Sequence, residues 1–147
     1  MKNAVELRFT GISNPQLAER HAVRVRFAEA LQRQTVLEGG DDEAVHAFRL
    51  ACKRLRFALE RIASPPPQLS RAGPLLSALT DELGWAHDCA VLAGLAREHG
   101  APLVALRAKR DRDRYVLRGR RLWRHAFRSN GEFAGLAAYA GFSWSVR

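Results

Sequence analysis

The 147-residue chain is predicted to be all-α, an antiparallel four-helix bundle over residues 14–131 between an N-terminal arm (1–13) and a C-terminal tail (132–147). Three observations carry this prediction. Apolar residues recur at spacings of three and four along four long stretches. Each stretch is bounded by capping residues, proline or glycine. No sheet, nucleotide-phosphate loop or repeat array competes with it.

The arm is weakly patterned. Val5, Leu7 and Phe9 alternate as in a short strand, but nothing later offers a partner sheet, so a loosely packed arm is expected. Asn14-Pro15 starts the first helix, with Asn14 as cap and Pro15 at the first helical position. That helix is expected to run to about Leu37 and stop at Gly39-Gly40. Leu17, Phe27, Ala28 and Leu31 define its apolar arc, and Arg20 and Arg24 fall inside that arc, with His21 at its margin.

Asp41, Asp42 and Glu43 cap the second helix and complement its positive end. It ends before Ser64-Pro65-Pro66-Pro67, which cannot continue it. Phe48, Ala51, Cys52, Leu55, Ala58, Leu59 and Ile62 make its apolar stripe. The third helix is expected from near Pro74 to about Glu98, with Leu75, Leu76, Leu79, Leu83, Ala86, Ala90 and Val91 inside and His87 at the edge. Pro102 opens the fourth, which continues to about Ser129 before Asn130-Gly131. Its inner arc holds Val104, Ala105, Ala108, Tyr115, Val116, Gly119, Leu122, Trp123 and Ala126, with Arg112 in the middle. The Gly- and aromatic-rich tail is expected to dock as a short helix.

Charge is the outlying property. The formal net charge is +9 and the pI near 10.9, so the surface attracts polyanions. All but three of the 24 basic residues are Arg, the side chain suited to multidentate phosphate contact, although GC-biased codons give the same skew. No apolar run approaches the ~18 residues of a membrane span and no signal peptide opens the chain, so a cytoplasmic protein is expected. Cys52 and Cys89 read as reduced core thiols.

The basic residues fall into patterns. His46, Arg49, Lys53 and Arg56 share one edge of the second helix at spacings of three, four and three, a ladder for a repeated anion. Leu50 and Phe57 flank it, which a simple solvated face would not show. On the fourth helix Arg107, Arg110, Arg114, Arg118, Arg121, His125 and Arg128 form an outer stripe, balanced in part by Asp111 and Asp113. Arg20, Arg24 and Arg112, directed inward, would complete a cradle for closely spaced phosphates. Such binding weakens steeply with salt.

No catalytic motif stands out, so a non-enzymatic protein is expected. His46, His87 and Asp88 could share a metal only among many cations, an electrostatically poor arrangement, so no metal site or cofactor is expected. Trp85 and Trp123 are not interleaved with basic residues as a base-stacking platform. A chain of phosphates without bases satisfies the pattern.

The run His46-x-x-Arg49-x-x-x-Lys53-Arg54-x-Arg56 resembles the signature of the CHAD family, the conserved histidine α-helical domain. Leu83-Gly84-Trp85-Ala86-His87-Asp88-Cys89-Ala90-Val91-Leu92 resembles its second landmark, Leu-Gly-x-x-Arg-Asp-x-x-Val-Leu, with His87 in place of the usual Arg. The resemblance covers about residues 14–130. It implies an all-helical domain that binds inorganic polyphosphate, with His46, Arg49, Lys53 and Arg56 as binding residues and Arg54 beside them, and with association to polyphosphate granules. Members are usually longer, with two four-helix bundles about a pseudo-twofold axis, so this chain resembles one half. Either it binds as half a site, or two copies form the missing half; Leu50 and Phe57 beside the ladder favour the second, since an isologous homodimer would bury them.

Three rival readings compete. One is a nucleic-acid-binding bundle using the fourth-helix stripe. Another is a histidine phosphotransfer bundle, disfavoured because Leu50 and the surrounding arginines crowd the approach to His46. The third is a protein-interaction bundle whose basic faces serve only solubility. Crowding by cations is expected to lower the His46 pKa, and a bound phosphate would raise it again.

Overall fold

The computed structural model describes residues 4–128 and 130–142, and these are all-helical, with no strand among them. Five α-helices follow in order: α1 (Pro15–Arg33), α2 (Asp42–Glu60), α3 (Ala72–Glu98), α4 (Pro102–Ala126) and α5 (Phe133–Ala140). Short 3₁₀ turns occupy Gln34–Glu38 and Pro67–Leu69.

The predicted starts are the observed ones where a side chain caps the helix. Asn14 Oδ1 accepts from the Gln16 and Leu17 amides at 2.9 and 3.3 Å, and Asp41 Oδ1 from the Ala44 amide at 2.7 Å. α1 ends four residues before Leu37, because the chain tightens there into the 3₁₀ turn. Gly39, at φ 151°, then reverses the chain into α2. α4 ends at Ala126, three residues before the expected end, with Phe127 as its C-cap; Ser129 itself and the tail beyond residue 142 lie outside the described residues.

Cross-helix contacts run antiparallel between neighbours. Glu19, early in α1, accepts from the Ala63 amide just beyond the C-terminal end of α2, and Glu29, late in α1, meets Arg54 further back along α2. His46 and Arg49 of α2 meet His87 and Thr80 of α3. Trp85 and Glu82 of α3 meet Tyr115 and Arg118 of α4. α1 and the 3₁₀ turn that follows it meet the C-terminal half of α4 and the residue just beyond it. There Phe27 stacks on Phe127, Trp123 Nε1 donates to Gln34 Oε1 at 2.8 Å, and Arg120 and Arg124 pair with Glu38.

The core is concentrated at that end. Phe27, Phe48, Trp123, Phe127 and Phe133 form an edge-to-face cluster that locks α1, α2, α4 and α5 together. α5 packs beside the Pro67–Leu69 turn; Gly135 lets it approach, since a Cβ there would lie 2.3 Å from the Gln68 carbonyl oxygen. The far half of α3 and α4 contributes only Ala93, Ala96, Ala105 and Ala108 to buried contact, and these stand apart from the main core.

Three inner-face assignments need correction. The buried face of α1 is Val23, Phe27 and Ala30, with Leu17 exposed, so Arg20 and Arg24 point outward rather than into the bundle. They lie beside the C-terminal end of α5, 3.5 and 3.8 Å from the Cβ position of Gly141, and Arg24 covers the Phe142 ring at 5.7 Å. The partial negative charge of a helix C-terminus suits them there. Val91 and Val104 are half exposed, because α1 and α2 do not extend over the far half of α3 and α4. The arm has no regular structure over residues 4–9; Arg26 Nη1 holds it to α1 through the Val5 carbonyl at 2.6 Å.

Candidate anion-binding face

α2 places its buried stripe (Phe48, Ala51, Cys52, Leu55) inside, which turns His46, Arg49, Lys53 and Arg56 to a shared, partly exposed edge. All four ladder residues lie on that edge. The α3 helix forms one wall.

Arg49 is the most firmly positioned. Its Nε donates to the Thr80 carbonyl at 3.1 Å, and its guanidinium lies against Gly84, whose missing Cβ would sit 3.4 Å from Nε and Nη2. Any side chain at that position would crowd the guanidinium. Arg49 has no carboxylate partner among the described residues. A shallow groove of about 340 Å³ opens here, lined by Arg49, Thr80, Asp81, Gly84, Trp85 and Asp88. Two carboxylates on the α3 side repel an anion, so the favourable side of Arg49 is the one toward Lys53.

Lys53 also lacks a carboxylate partner among the described residues; its Nζ lies 5.6 Å from the Phe57 ring. Arg56 sits on the same ring at 5.1 Å, its Nη1 is 3.6 Å from Glu60, and its buried Nε has no hydrogen-bond partner. Phe57 thus supports two cations, each held at ring-contact distance.

His46 lies against His87, ring centroids 4.4 Å apart and planes tilted by 34°, with its Nδ1 buried and without a hydrogen-bond partner. Burial lowers its pKa below the ordinary 6.5, and His87 and Arg49 add to that effect by repelling a third positive charge. The direction is the expected one, but desolvation leads over cation crowding. His87, the residue that departs from the second landmark, is therefore part of this face. Although His46 and His87 come together, no group of three or more His, Cys, Asp and Glu among the described residues is arranged to hold a metal.

The remaining predicted residues lie elsewhere or are already paired. Arg54 is turned toward α1, where it grips the buried Glu29 carboxylate through Nη2 and, at 3.3 Å, through Nε. Arg26 joins at 3.1 Å and Arg33 at 3.9 Å. Burial alone would raise the Glu29 pKa, but the Arg54 and Arg26 guanidiniums outweigh it and hold the carboxyl below its ordinary value. Arg112 is already neutralised where α4 meets the start of α2. It donates to Asp42 at 2.7 Å, Asp113 at 3.0 Å and the Gly40 carbonyl at 3.2 Å. Arg20 and Arg24 are committed to the α5 end, so no inward cradle of Arg20, Arg24 and Arg112 forms.

The flanking residues have neighbours in their own chain. Leu50 lines a groove of about 420 Å³ with Gln32, Arg33 and Val36, and Phe57 lies beside the arm residues Leu7 and Phe9. On α4, Arg107 and Arg114 pair with Asp111, and Arg118 reaches Glu82 and covers Tyr115. Arg110, Arg121 and Arg128 make no ion pair among the described residues. Burial pushes the Cys52 and Cys89 thiols up, with Asp111 and Asp88 adding to the rise at Cys89, so both are poor nucleophiles. No helix among the described residues is long and apolar enough to cross a membrane.

No curated protein and no protein of solved structure matches the chain. The CHAD domain family model matches residues 7–98, from the arm through the end of α3, so it contains the whole ladder and the Gly84–His87 wall and leaves α4 and α5 outside. With well over half of its length matched, the chain belongs to the CHAD domain family.

Proposed function

We propose that this domain binds inorganic polyphosphate without catalysing a reaction, along the α2 edge formed by His46, Arg49, Lys53 and Arg56. α1–α4 serve as an antiparallel four-helix half-unit that presents this edge. Family membership brings the association with polyphosphate. The single observation that carries the residue assignment is that Arg49 and Lys53 face the same edge with no carboxylate within ion-pair distance of either among the described residues, whereas the partly buried Arg26, Arg54 and Arg112 are each neutralised. Arg54, Arg112, Arg20 and Arg24 serve the fold. The buried Nδ1 of His46 and the close packing of its ring against His87 speak against phosphotransfer through that nitrogen.

A second reading has its own support. Trp85 is 58% exposed and stacks on Tyr115 at 6.4 Å, with Arg118 over the Tyr115 ring at 5.5 Å. That is a platform on which a nucleobase could stack.

Competition of labelled polyphosphate against DNA and RNA at two salt concentrations separates the two. Polyphosphate is expected to win, with a log–log salt slope of about −3 for roughly four phosphate contacts. The variant His46→Ala/Arg49→Glu/Lys53→Glu should abolish binding while keeping its helical circular dichroism. Retained affinity in that variant would move the site to Arg110, Arg114, Arg118 and Arg121.

A further inference from the structure

α2 and α4 carry their apolar residues on one side, whereas α3 carries them all round. A helix apolar on every side is ordinarily covered on every side. Here it is not: Trp85, Leu92 and Leu95 are 58%, 49% and 49% exposed. Together with the exposed Asp81, Asp88 and His99 they fall at spacings of four, three, four, three and four. That is the period of a coiled-coil seam, drawn along the outer face of α3 for about 27 Å. Asp81, Trp85 and Asp88 also border the groove at Arg49, whereas Leu92, Leu95 and His99 belong neither to that groove nor to the core.

We infer that this seam is a homodimer interface, in which α3 of one copy packs antiparallel against α3 of a second. The charge pattern selects the occupant and the direction. About a twofold axis between Leu92 and Leu95, Leu92 of each copy meets Leu95 of the other. Asp88 and His99 are equally far from that axis, so the carboxylate of one copy meets the imidazole of the other at both ends. A parallel arrangement would set Asp88 against Asp88. The seam is thus complementary to itself in one orientation, as an isologous contact requires. A single helix pair is small for a stable interface, so assembly is weak and needs high concentration.

Sedimentation velocity over micromolar to millimolar protein, with no polyanion present, tests this. A reversible monomer–dimer equilibrium is expected, and it should tighten with added salt as repulsion between two +9 protomers is screened. Polyanion binding has the opposite salt dependence, so failure of one assignment leaves the other standing. Leu92→Glu/Leu95→Glu, at exposed positions, should weaken the dimer by on the order of tenfold or more. Asp88→Lys or His99→Asp alone should weaken it, and Asp88→Lys/His99→Asp together should restore it. A monomer at every concentration, a dimer indifferent to the Leu pair, or a double charge variant no tighter than its parents would overturn the inference.

Discussion

Replacing Glu29 by Gln removes the one negative charge shared by Arg26, Arg54 and Arg33 while keeping the side-chain volume. The Glu29 side chain is 1% exposed, and the three arginine side chains are 13%, 27% and 23% exposed. Breaking a fully buried ion pair by removing one partner costs about 3–5 kcal/mol. These arginines keep some access to water, which lowers the expectation to about 2–4 kcal/mol. For a domain of this length, that corresponds to a melting temperature lower by about 5–15 °C. The pH dependence supplies a second signature. The folded pKa of Glu29 is depressed, so its contribution is fully present above the ordinary 4.5 and is lost as pH falls through the folded value. Wild type should therefore lose more stability than Glu29→Gln on acidification below pH 4.5, and the two unfolding curves should converge. Urea unfolding monitored by circular dichroism at pH 7 and in acid measures both effects. A loss under about 1 kcal/mol at pH 7, or curves that stay parallel into acid, would refute the account. Arg54→Ala extends the test to function: it should destabilise the domain and leave polyphosphate affinity nearly unchanged, whereas Lys53→Ala should do the reverse.

Two further outcomes follow from the geometry. Because the His46 pKa is depressed, folding stability should fall as pH drops below the ordinary 6.5, where the unfolded chain takes up the proton first; His46→Gln should flatten that region in thermal melts. Gly135→Ala should cost about 2 kcal/mol or more, since its Cβ would press on the backbone carbonyl of Gln68, and proteolysis should then remove the loosened α5.

The parts of the fold legible in the sequence were those set by neighbours in the chain. Asn14, Asp41, Pro102 and Gly100 mark ends through caps and breakers acting within four residues, and the ladder is a matter of helical spacing alone. What escaped depends on partners far away. Arg54 reads as a member of the ladder run until Glu29, 25 residues upstream, claims it. Arg112 reads as an inward cation until Asp42, 70 residues away, neutralises it. Arg20 and Arg24 fall inside an arc defined by Leu17, Phe27, Ala28 and Leu31; of these, packing buries only Phe27 and adds Val23 and Ala30, which turns both arginines outward. Glu29 gave no signal of its own, being one acid among many basic residues. Thr80 and Gly84 were equally silent as supports of Arg49, although Gly84 lies in the second family landmark, which was the available clue.

The alanine-only packing between the far halves of α3 and α4 implies a gradient of local opening along the molecule. Ala93, Ala96, Ala105 and Ala108 bury little side-chain surface, while the aromatic cluster at the opposite end ties four helices together. Amide protons near the α3–α4 turn should therefore exchange through small local fluctuations, long before those around Trp123, which await global unfolding. The two ends of one continuous helix would then report different free energies, and a second copy seated on α3 would slow exchange only at the weaker end.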